Sequence, residues 1–127
     1  MHSLDELARR TAPACDAWTA RSVVETSEQL TVRQDVPEPP TRQRDAGVMV
    51  TVAKGGAMAH AATSDVSEQG LRAAFARALE LAQAAAGHSL VDSGEIEWPS
   101  HSGEWRSPND KPASAVTLAE KFELLRE

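Results

Sequence analysis

Tyrosine is absent from the 127 residues; phenylalanine occurs twice and tryptophan three times. With aromatics at 4%, alanine and valine must fill much of the core. Such a core favours closely packed elements over deep aromatic pockets. Cysteine occurs once, at Cys15, which excludes an internal disulfide and a cysteine-based zinc knuckle. A single thiol fits a reducing compartment. Positive charge is also in deficit: 13 Lys and Arg stand against 19 Asp and Glu, a net charge of −6. That balance argues against direct contact with nucleic acid, which depends on clustered cations. No apolar run approaches membrane-spanning length, and residues 1–6 show no basic segment followed by an apolar one. The expectation is a cytoplasmic protein with no membrane partner.

What is present is organised around residues 46–87. Val48, Val50 and Val52 alternate with Met49, Thr51 and Ala53, the period of a strand with one buried face. Gly55-Gly56 suits the positive φ of a tight hairpin turn, and 57–63 returns as a second strand. It is a turn and not a phosphate loop, because a strand rather than a helix follows. Asp65 with Glu68 reads as a capping box opening a helix over 66–86. Leu71, Phe75, Ala78, Leu79, Ala82 and Ala85 form its apolar stripe, with Gly87 as the stop.

On either side the signals are shorter. Ser3 and Glu6 form a capping box that predicts a helix over 4–12, halted by Pro13. Residues 16–35 read as two strands joined by a turn at Thr26-Ser27-Glu28. Residues 36–44, with Pro37, Pro39 and Pro40, read as an exposed loop; a Pro-x-x-Pro ligand is the functional alternative. Residues 88–116 lack any period and read as an irregular arm, with Trp98 and Trp105 expected to dock. Thr117 and Glu120 cap a last helix whose stripe is Leu118, Phe122 and Leu125. The predicted architecture is α+β: a four-stranded, mostly antiparallel sheet with two helices packed on one face, plus an irregular C-terminal arm. The predicted parts are a domain over 1–87, an arm over 88–116 and a truncated helix over 117–127.

Few residues offer chemistry. His2, His60, His88 and His101 lack the one-turn spacing of a helical zinc site. His101 and Glu104, with or without His88, could gather in the arm, but a Gly/Ser/Pro-rich segment preorganises ligands poorly. His60 reads as a satisfied strand residue. Cys15 reads as a small packed side chain rather than a nucleophile, since no base is positioned beside it. Asp92, Glu95 and Glu97 read as solvated carboxylates, and Arg72 and Arg77 as helix surface. These residues define no catalytic, cofactor-binding or metal site.

The order helix, strands, loop, hairpin, long helix, arm resembles the N-terminal domain of the TldD/PmbA family. The resemblance is carried by Gly47-Val48-Met49-Val50-Thr51-Val52, by Gly56, by Ala61-Ala62-Thr63-Ser64-Asp65 leading into 71–82, and by the stretch from Pro108 through 117–127. Met49 stands where the family has a small residue, Thr51 where it has a basic one, and Ala59-His60 where it has glycine and an aromatic. The resemblance implies a zinc metallopeptidase family, also described as modulators of DNA gyrase. Its zinc motif, His-Glu-x-x-x-His, lies beyond this domain and has no match here. It therefore implies a non-catalytic domain in a dimer, homomeric or heteromeric, that helps enclose a channel for extended peptides. Zinc is expected only downstream. The alternative is an independent module that binds peptide or protein along a sheet edge.

Overall fold

The computed structural model describes residues 3–126. Its contacts separate two compact units, one of residues up to 24 together with 46–102, the other of 25–45 together with residues from 103 on. Strands β1 (Ala17–Gln29) and β4 (Thr41–Lys54) contribute to both.

The first unit is built on the valine strand. β4 lies between β1 and β5 (Ala57–Thr63) in a three-stranded sheet. β4 and β5 pair antiparallel in unbroken register from Val48 opposite Thr63 to Lys54 opposite Ala57. Gly55 and Gly56 turn the hairpin at φ of 60° and 79°, where side-chain-bearing residues are strained. Helix α1 (Leu4–Thr11) opens on the Ser3–Glu6 capping box, both of whose hydrogen bonds are formed. Helix α2 (Glu68–Ala85) lies over the sheet, and Gly87 follows at φ 80°. Ala8, Val48, Val50, Val52, Leu71, Ala74, Phe75 and Ala78 form one buried cluster, with Trp18 and Leu79 packed against it. The Trp18 ring meets Phe75 edge-on at 5.7 Å and 89°. Burying each large side chain of this kind contributes about 1.5–3 kcal/mol, so four elements are held largely by Phe75, Leu71 and the valines.

The cap of α2 differs from the expectation. Ser67, not Asp65, is the N-cap, and its hydroxyl accepts from Gly70 N–H. Asp65 sits two residues earlier, where its carboxylate accepts from Ser67 N–H at 2.9 Å. Both residue types cap well, and the local turn made by Asp65 leaves Ser67 to begin the helix.

The sheet also differs. Among the described residues it has three strands, not the expected four, and two further short strands form a separate ribbon. β1 runs straight through Thr26-Ser27-Glu28, which contains no glycine, proline or asparagine to break it. The chain reverses at Gln34-Asp35 instead, with φ of 50° and 67°. That turn joins the two-residue strands β2 (Val32–Arg33) and β3 (Val36–Pro37). Two positive φ values match the hand of a strand pair, the reason such turns close hairpins. The expected loop over 36–44 therefore holds β3 and the start of β4. Pro37 is tolerated because its strand has one neighbour. The rest of the second unit comprises a 3-10 turn at Ala113–Ala115 and helix α3 (Leu118–Leu124), opened by the Thr117–Glu120 capping box.

Candidate functional site

Two surfaces of the first unit are open. The first is the sheet face turned away from the core. Valines 48, 50 and 52 point inward, so Met49, Thr51 and Ala53 point outward. Opposite them stand Ala62, His60 and Met58. Thr51 and Ala53 are buried all the same, because small side chains on a central strand lie beneath taller neighbours. Thr51 Oγ1 and His60 Nδ1 share a hydrogen bond of 2.8 Å, so His60 is the satisfied strand residue expected. Met49 and Met58 remain 38% and 42% exposed.

The second open surface is the edge of β5. Beside it runs a groove of about 350 Å³ between β5 and α2. Ala61, Ala62 and Thr63 form one wall, Gly70, Ala73, Ala74 and Arg77 the other, and Asp65 closes an end. Arg77 pairs with Glu80 at 2.8 Å on the exposed side of α2. Nothing local in the sequence joins these residues: Asp65 has the signature of a cap and Arg77 that of solvated helix surface. The usable signal was the composition of β5, seven residues without charge or proline.

The hairpin tip is tied down from two directions. Asp16 accepts from Gly55 N–H at 2.8 Å and pairs with Lys54. The Gly55 amide, with the Lys54 ammonium assisting, holds the Asp16 carboxyl below its usual range. From the other side Ser93 N–H donates to Gly56 carbonyl, and Trp98 Nε1 donates to Ser93 carbonyl. Asp92 accepts from Gly94 N–H, and its carboxylate lies 2.9 Å from where a Cβ on Gly56 would stand. Trp98 thus docks as expected, whereas Trp105 is 81% exposed, with only polar and small residues around it in sequence.

Because a carboxyl depressed in the folded state favours folding only while ionised, the Asp16 latch is at full strength above the ordinary carboxylate range. It is lost as pH falls through the folded value. A carboxyl-carbon NMR titration should place the Asp16 midpoint below that of an unstructured aspartate; an ordinary midpoint would remove the latch from this account.

The remaining candidates are scattered. Cys15 Sγ donates to Ala17 carbonyl at 3.4 Å, and burial, then the neighbouring Asp16 charge, pushes its thiol up, the opposite of nucleophile activation. His88 follows the end of α2 and His101 is exposed in the arm; His2 lies outside the described residues. Asp92 caps the 3-10 turn Ser93–Glu95 by accepting from Gly94 N–H, and Glu95 and Glu97 are exposed. Arg72 pairs with Glu68 one turn away. Among the described residues no group of three or more His, Cys, Asp or Glu is arranged to hold a metal ion. No helix among them is long and apolar enough to cross a membrane. In the second unit, Glu28 bonds to Lys121 of α3 and to Arg42 at 2.7 Å, which together hold its carboxyl below the usual range. Phe122 and Leu118 are half-buried there, while Leu124 and Leu125 are exposed.

A comparison with curated proteins found no match. The family model for PmbA/TldA metallopeptidase domain 1 matches residues 18–82, just over half of the chain. That span runs from the Trp18 that meets Phe75, through the hairpin, to the last buried turn of α2. The chain belongs to the PmbA/TldD metallopeptidase family, of which it carries the first domain.

Proposed function

We propose that this chain acts as the non-catalytic first domain of a PmbA/TldD-type metallopeptidase in the cytoplasm. In that role it contributes to subunit assembly and to the path taken by extended peptide substrates. The observation that carries the reading is the two-sided sheet of the first unit: helices and core lie on one face, and Met49 and Met58 stand exposed on the other. Flexible, polarizable methionines adapt well to an apposed protein surface. Zinc and the general base of hydrolysis belong, in this reading, to another part of the enzyme. Gyrase modulation would then act through protein contacts, since the net charge of −6 disfavours DNA.

Sedimentation velocity tests the assembly role. The chain should associate, with itself or with a second subunit of the family, and Met49→Lys with Met58→Lys should abolish the complex without loss of fold. A chain that stays monomeric in both settings would defeat it.

A further inference from the structure

We infer that His60, Met58 and Met49 form a surface site for a soft monovalent metal ion, copper(I) in kind. The site goes beyond the reading above, because the free chain carries all three donors whether or not it assembles. The strand register brings them together on the outward face of the β4–β5 pair. Met58 and His60 are two residues apart on β5, so their side chains leave the same face about 6.8 Å apart. His60 stands opposite Thr51, and Met49 is two residues before Thr51 on β4. Met49 is therefore a diagonal neighbour of His60 across the ladder, about 7–8 Å away. Separations of this size are bridged when an imidazole and a flexible thioether lean toward a common point. His60 is exposed, and Met49 and Met58 are 38% and 42% exposed, so an ion reaches all three from solvent.

The hydrogen bond to Thr51 prepares the imidazole. Thr51 is buried, and its Oγ1 lies 2.8 Å from His60 Nδ1. With the ring proton on Nδ1, His60 donates to Thr51 and keeps the Nε2 lone pair for an ion. A metal-ligating histidine ordinarily takes its tautomer and ring orientation from such a partner. The donor set then decides the metal. The outward residues of the paired segments are Met49, Thr51, Ala53, Met58, His60 and Ala62, and none is a carboxylate or a thiol. Two thioethers and one imidazole make a soft, neutral set, suited to copper(I). Zinc, calcium and magnesium sites need thiolates, carboxylates or several imidazoles, which this face lacks. Contact with another protein asks only for apolar bulk, which leucine or valine supplies equally. Of the chain's three methionines, two flank this histidine.

The test is an anaerobic titration of the full chain, purified without a histidine tag and isotope-labelled, with copper(I) supplied from a chromophoric chelator. The chain should take up one equivalent. The methyl signals of Met49 and Met58 and the Nε2 signal of His60 should move, while those of Met1 stay in place. Zinc at the same concentration should leave them unmoved. Met49→Leu and Met58→Leu keep the apolar bulk, and each should weaken binding about tenfold; His60→Gln should weaken it further. Thr51→Val keeps the β-branched shape without the hydroxyl and should also weaken binding about tenfold. All four variants should keep the native spectral dispersion. No uptake from the chelator would overturn the assignment. So would unchanged binding by His60→Gln, or shifts confined to Met1 or to the residues around Cys15. Failure here and failure of the assembly reading are separable. A chain that binds copper(I) but stays monomeric with every partner defeats only assembly, and one that assembles without taking up copper(I) defeats only the metal site.

Discussion

Phe75→Ala should cost about 3–5 kcal/mol of stability. Phe75 is fully buried, and it is the largest side chain in the core cluster. It connects α2 to the valines of β4 and gives Trp18 of β1 its edge-to-face partner. Truncation loses the transfer free energy of the ring, and it also leaves a cavity that alanine- and valine-rich neighbours cannot collapse to fill. A domain of this size has about 5–15 kcal/mol in all, so the variant should unfold at a far lower denaturant midpoint. A loss under about 1 kcal/mol in chemical denaturation would mean that α2 is not the principal cover of the sheet.

Gly70→Ala should destabilise by about 2–3 kcal/mol, although the same change inside an ordinary helix gains about 1 kcal/mol. The reason lies in the turn before α2. A Cβ on Gly70 would stand 2.2 Å from the Asp65 carbonyl oxygen and 2.6 Å from its Cγ. The first of these is backbone and cannot swing away, so the Asp65–Ser67 cap would have to open or the helix start would have to move. Ala76→Gly, on the exposed side of the same helix, should lose about 1 kcal/mol through helix propensity alone. Thermal or denaturant unfolding of the pair separates the effects: a methyl added at one site and a methyl removed at the other should both weaken the fold. A stabilised Gly70→Ala would show that the Asp65 turn is not held as described.

The strong periods in the sequence were reliable guides. The alternation of Val48, Val50 and Val52, the paired glycines and the stripe through Leu71 and Phe75 led directly to the hairpin and to α2, because each buried face repeats several times. Two capping boxes, at Ser3 and Thr117, were legible for a similar reason: the partner three residues on is part of the signal. The reversal at Gln34-Asp35 was not legible, since neither residue announces positive φ as glycine does. Thr26-Ser27-Glu28 looked like a turn by polarity alone, yet a strand needs only a partner for its backbone, and polar β-tolerant residues suffice on a solvated face. Proline-rich 36–44 held short pairings for a comparable reason: Pro37 has a strand neighbour on one side only. The groove was hidden more deeply. Its walls come from β5 and α2, and nothing local in Asp65, Ala73 or Arg77 signals that they share a cleft.

The most direct measurement of the central proposal, that this chain supports and binds but does not itself hydrolyse, is made on protein purified without a histidine tag. Its bound metal is quantified, and its action on an unfolded polypeptide such as casein is followed with and without added zinc. Catalytic zinc needs three protein ligands in fixed geometry and an open position, with a general base in reach. The account predicts far less than one zinc per chain and no zinc-dependent cleavage. Near-stoichiometric zinc together with zinc-dependent cleavage would contradict it and make the chain a catalyst.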